Sequence, residues 1–233
     1  PWFAISTLVL LPLMIVAVFF GVFMRGTVNK GLRRLIDDDC DPLLCARRTL
    51  ALLEKDRKNA DPRSGLFSYA YALRWQGKWN EAAKLMRVLE DDADPQGLFL
   101  CHSLLAYCAW DERDLKGLTA EVKILRELPG ESLSKDAAAH IAEHVALREL
   151  LAKEANGKQP KAAAGYLQVA DDPKALPAHR VLFSLKAAGC LIDPAERQAR
   201  LAYVAEHGGT TWCAAEARKQ LEKETRKKLD AAL

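Results

Sequence analysis

The chain has 233 residues, with 34 Lys+Arg against 31 Asp+Glu and a net charge of +3. So small and so mixed a surplus excludes a protein whose main partner is nucleic acid. After residue 34, Ala, Leu, Glu, Lys and Arg dominate and β-branched residues are sparse, which favours helix over sheet in a stretch long enough for one domain with a real core.

Residues 1–24 read PWFAISTLVLLPLMIVAVFFGVFM and carry no charge. A helix of that length reaches roughly 36 Å, enough to cross a hydrocarbon core, so the segment is expected to be a single transmembrane helix. Pro12 is expected to kink it and Trp2 to lie at an interface. No basic stretch precedes the run and its end, Val22-Phe23-Met24, is bulky, which favours a retained anchor over a cleaved signal. Ala17 and Gly21 have the small-xxx-small spacing that lets a second helix pack closely. Arg25, Lys30, Arg33 and Arg34 follow the run, so the positive-inside rule puts residues 25–233 on the cytoplasmic side of a single-pass membrane protein. Residues 25–41 form a basic juxtamembrane segment and linker, and 42–233 the helical domain.

In chain order, Lys30–Ile36 reads as a short helix and Asp41-Pro42 opens another to about Lys58. The next pair covers about Arg63–Gln76 and Asn80–Glu90. Leu66, Tyr69, Ala70 and Leu73 fall at i, i+3, i+4 and i+7, the spacing of a core-facing stripe. Gly77 can supply the left-handed residue that ends the first helix. Helices are then expected at Gln96–Trp110, Leu115–Leu128 and Lys135–Glu154, followed by 161–170, 174–189, 194–207 and 211–230. The last, charged from Glu216 to Lys228, fits a solubilising end cap. Prolines at 62, 95, 129, 160 and 194 lie 33, 34, 31 and 34 residues apart, a period expected of stacked helix pairs.

The pair at 62–94 resembles the tetratricopeptide repeat family. Ala70 stands at that family's small residue of the first helix, Gly77 at its turn glycine, Trp79 at its turn aromatic and Ala82 at its small residue of the second helix. Leu66 replaces the usual tryptophan. The resemblance implies an all-α, tetratricopeptide-like solenoid of antiparallel helix pairs whose first helices line a concave groove. Its implied function is a scaffold that holds a protein partner, or a partner's tail, at the membrane. Phe67, Tyr71, Arg74 and Trp75, at i, i+4, i+7 and i+8 beside the core stripe, are the candidate partner-binding residues. The alternative is an accessory subunit of a membrane complex docking through Ala17 and Gly21.

Chemistry is sparse. His140, Glu143 and His144 match H-x-x-E-H, in which two histidines on one helix face bind zinc beside a glutamate base. The third ligand of that pattern has no better source than Glu216 or Glu222, and two histidines on an amphipathic helix are ordinary. Cys101, His102 and Cys108 share a helix, where the cysteines are expected to be core. The six cysteines, Cys40, Cys45, Cys101, Cys108, Cys190 and Cys213, fit no disulfide framework and no zinc spacing. No phosphate loop, nucleophile elbow or dinucleotide fingerprint occurs. No enzyme activity, metal, cofactor or small-molecule substrate is therefore expected.

Overall fold

The computed structural model describes residues 30–55, 62–91 and 93–230. The anchor expected at 1–24, with Ala17 and Gly21, lies outside the described residues. Among those that are described, no helix is long and apolar enough to cross a membrane.

Every described element is helical. Residues 30–37 form α1, followed by α2 (Pro42–Lys55), α3 (Arg63–Trp75), α4 (Trp79–Glu90), α5 (Pro95–Asp111) and α6 (Leu115–Glu127). A 3-10 turn at Gly130–Ser132 leads to α7 (Ala137–Ala155), α8 (Gln159–Ala170), α9 (Pro177–Ala188), α10 (Pro194–His207) and α11 (Trp212–Asp230). From α2 onward each helix packs on the next in sequence, and α5 also touches α3 and α7, as α9 touches α11. Odd-numbered helices thus form an inner layer and even-numbered helices an outer one, an arrangement compatible with a helical repeat.

The repeat is set by the turns that join inner to outer helices. Each of the first four holds one residue at positive φ: Cys40 (51°), Gly77 (78°), Arg113 (61°) and Gly157 (71°). At three of them the helix closes with a Schellman bond: Lys78 N–H to Leu73 O (3.0 Å), Asp114 N–H to Ala109 O (2.8 Å) and Lys158 N–H to Lys153 O (2.8 Å). Counted from these residues, the fifth and ninth positions of the outer helix are always inside: Cys45 and Thr49, Ala82 and Met86, Leu118 and Val122, Ala162 and Tyr166. They are four apart on one helix face, so each outer helix buries one narrow stripe.

The spacing between turns is 37, 36 and 44 residues (40 to 77, 77 to 113, 113 to 157). The proline period does not follow it. Pro62 and Pro95 precede or open inner helices, whereas Pro160 and Pro194 lie in the first turns of the outer helices α8 and α10. Arg113 holds the left-handed turn position without a glycine.

The array closes on itself. Between Ala178 and Ala188, α9 is buried on all sides except at His179 and Arg180, as expected of a helix apolar all round. It lies against α3 and α5: Phe183 packs on Trp110 with centroids 5.2 Å apart, and Lys186 Nζ donates to the carbonyls of Trp110 (3.0 Å) and Asp111 (3.3 Å). Lys186 thus adds to the Arg113 N–H that already reaches the Trp110 carbonyl at 3.1 Å, and satisfies the Asp111 carbonyl beyond the last helical bond. At the far end of the chain, Trp212 meets Trp79 edge-on at 5.2 Å, and Thr210 N–H donates to Cys40 O at 3.0 Å. The α10–α11 loop therefore seals the α1–α2 turn. Gly209 (φ 53°) makes this contact, and a Cβ there would overlap the Cys40 carbonyl oxygen. Gly209→Ala is expected to cost about 2 kcal/mol from the left-handed backbone and that overlap, read as a fall in melting temperature of several degrees.

Candidate functional site

Where α3 was expected to line an open groove, the structure divides it. Phe67, one turn from the start of the helix, lines a pocket. Tyr71 is half-buried, and its hydroxyl donates to Asp37 Oδ1 of α1 at 3.0 Å while the Arg33 guanidinium lies 5.6 Å from its ring centre. Burial, and then the neighbouring Asp37 carboxylate, raises the Tyr71 hydroxyl well above its usual range.

Arg74 and Trp75 are 2% and 1% exposed. Arg74 Nε donates to Asp111 Oδ2 at 2.7 Å, and its guanidinium lies 4.9 Å from the Trp75 ring centre and 4.5 Å from that of Tyr107. Trp75 stacks on His179 of α9 at 6.3 Å. These two residues are therefore not a surface for a partner in this structure, because α9 occupies the groove they were expected to line.

A pocket of about 600 Å3 lies at the end of the inner layer where α3 and α5 begin. Lys30 and Arg33 reach it from α1, Arg63, Ser64, Phe67 and Ser68 from α3, and Leu89 from α4. Asp94, Gln96, Gly97, Leu100 and Cys101 supply the α5 side. The polar groups on that side are engaged: Asp94 Oδ1 caps α5 by accepting from Gly97 N–H at 2.7 Å, and Gln96 Oε1 accepts from Ser134 N–H at 2.8 Å. Among the described lining residues, Lys30 and Arg33 are exposed cations, and the Asp94 carboxylate is used as a cap.

Of the H-x-x-E-H residues, His140 and Glu143 stay together, Nδ1 3.6 Å from Oε2, and His144 turns into the core. His140 is exposed, Glu143 accepts from the Tyr107 hydroxyl at 2.8 Å, and His144 is fully buried 4.4 Å from the Tyr107 ring centre. Neither ring nitrogen of His144 has a hydrogen-bond partner in the protein, and burial holds its pKa down to about 4. No three His, Cys, Asp or Glu side chains among the described residues are grouped to hold a metal ion, with or without Glu216 and Glu222 of α11. His102 pairs instead with Glu121, its Nδ1 2.7 Å from Oε2, and Arg87 joins the same carboxylate from α4. Burial would raise the Glu121 pKa, but these two partners outweigh it and lower the value.

All six cysteines are free and buried. Burial pushes the thiols of Cys40, Cys45, Cys101 and Cys190 up to about 11 and Cys108 up to about 12, which suppresses the reactive thiolate.

Sequence reasoning missed the interior charges. Lys186 had a visible signal, a lone cation inside Val181-Leu-Phe-Ser-Leu-Lys-Ala-Ala188. Asp111 had none, since an aspartate beside a turn is usually solvated.

No protein-family model, no curated protein and no solved structure matches this chain.

Proposed function

We propose that the chain is a tetratricopeptide-like scaffold, fixed to a membrane by residues 1–24, that holds a protein partner there with its helical domain on the cytoplasmic side. The observation that carries this reading is the α3–α4 pair. Ala70 and Ala82, the family's two small positions, are both 0% exposed where the helices meet, and Gly77 holds the left-handed turn between them at φ 78°. The paired helices around it support the same reading, and the uncharged run supplies the attachment.

With α9 in the groove, accessible apolar side chains lie elsewhere. Leu43 and Leu50 are 42% and 41% exposed on α2, seven residues apart on one face with Arg47 beside them. We assign this face to the partner. The alternative, a subunit docked through Ala17 and Gly21, gains from the same filled groove, since it needs no groove at all.

A crosslinked pull-down of the full chain from native membranes separates the two. Replacing residues 1–24 by an unrelated membrane helix is expected to leave the partner in place. Leu43→Asp together with Leu50→Asp is expected to reduce its capture about tenfold or more, as for loss of an interface anchor. Loss on helix replacement, with the double variant unaffected, establishes the docked subunit instead.

A further inference from the structure

The pocket at the head of the inner layer has no role in the scaffold reading, and its chemistry is specific. Its apolar lining comes from Phe67, Leu89 and Leu100, and its cations are Lys30, Arg33 and Arg63. Lys30 and Arg33 are exposed, and Asp94, the one carboxylate among the described lining residues, is tied up as a helix cap. An apolar floor under a cationic rim matches an amphiphile with a negatively charged head.

Its position narrows the source. Lys30 is six residue steps beyond Met24, the end of the uncharged run. Six steps of extended chain span at most about 21 Å, so the rim is leashed close to the membrane surface, where Arg25 and Arg34 add further positive charge. The uncharged run itself does not fit. As a helix about 10 Å wide and roughly 36 Å long it far exceeds the pocket, whereas about 600 Å3 suits a lipid head with the upper part of one acyl chain.

We propose that this pocket binds an anionic phospholipid of the membrane, its head at Lys30 and Arg33 and an acyl chain against Phe67, Leu89 and Leu100. The proposal rests on the membrane attachment of residues 1–24. Bound lipid fixes the inner layer against the bilayer, so that the α2 face is presented at a set orientation.

The test uses the full chain in detergent micelles and native mass spectrometry, with dioleoyl-phosphatidylglycerol and dioleoyl-phosphatidylcholine as probes. One saturable phosphatidylglycerol is expected, held about tenfold more tightly than phosphatidylcholine, as charge-assisted contacts to the head imply. Lys30→Gln with Arg33→Gln is expected to remove that preference. Lys116→Gln with Lys161→Gln deletes the same charge at exposed sites on α6 and α8, outside the pocket, and is expected to change it less than about threefold. Ser68→Trp fills the pocket without altering charge and is expected to abolish retention. If Ser68→Trp proves unfolded by circular dichroism, the comparison of the two double variants decides.

Equal retention of both lipids, equal loss in the two double variants, full binding by folded Ser68→Trp, or displacement of the lipid by millimolar inorganic phosphate would each overturn the proposal. Alkaline carbonate extraction checks attachment separately. A chain that stays in the membrane yet holds the two lipids alike loses the pocket and keeps the anchor. Release by carbonate removes the anchor, and the bilayer as the lipid's source with it.

Discussion

Asp111→Asn is expected to destabilise the fold by about 3–5 kcal/mol, the cost of leaving a buried charge without its partner. Arg74 and Asp111 are 2% and 5% exposed and meet through two hydrogen bonds, 2.7 and 3.4 Å. The aspartate also bears on a second buried cation. Its charge helps to hold Lys186 protonated against burial, which on balance lowers that lysine's pKa. The asparagine keeps the shape and removes the charge from both. The ring faces of Trp75 and Tyr107 each attract the guanidinium by only about 0.5–2 kcal/mol, too little to replace a carboxylate. In a domain of this size the loss corresponds to a melting temperature roughly 10 °C lower, measured by circular dichroism of the full chain in detergent. Arg74→Met added to Asp111→Asn is expected to recover part of it, because an uncharged chain of similar length fills the site without an unpaired cation. A loss below about 1 kcal/mol for the single variant would mean that water reaches the pair, and that α9 does not seal the inner layer as described.

This pair also shows where sequence reading stops. The helices and their order were legible because each outer helix carries one apolar stripe and most turns have a local stop signal. At Arg113 the signal was absent, and the turn formed without it. The fate of Arg74 and Trp75 was not legible from α3 alone. At i+7 and i+8 from Phe67 they flank the core stripe, and whether such positions face a groove or a core depends on what fills the groove. That occupant is about 100 residues further along the chain. Its signature was present: residues 177–188 have no polar face broad enough for a solvated helix. Buried on nearly all sides, that segment had to be an interior element rather than one half of an ordinary pair. The prolines misled for a physical reason. Proline suits the first turn of any helix, so it marks inner and outer helices alike and cannot give the register of a repeat.

Lowering the pH from 7.5 to 5 is expected to cost the protein about 2 kcal/mol through His144 alone, and His144→Phe is expected to remove that cost. The imidazole titrates near 6.5 in the unfolded chain and is held down to about 4 in the fold, first by burial and then by Arg74 and His140, with Glu143 opposing. Between those values the unfolded state binds a proton that the folded state refuses. Stability is therefore complete above about pH 7.5, falls by up to about 1.4 kcal/mol per pH unit below 6.5, and levels off below 4. Glu121 and Asp37 separate from His144 by window or sign, whereas His179 does not. His179, also lowered mainly by burial, adds to the same loss. Glu121, lowered by its partners, contributes stability above its unfolded value near 4.5 and loses it only in stronger acid. Asp37, raised by burial, runs the other way and offsets part of the fall. The difference between wild type and His144→Phe isolates the one residue, since phenylalanine keeps the ring against Tyr107 and gives up no hydrogen bond. Parallel denaturation curves at pH 7.5, 6 and 5 measure it. Equal slopes for the two proteins would mean that His144 is protonated or solvated in the fold, and that the α5–α7 contact is open where the structure has it closed.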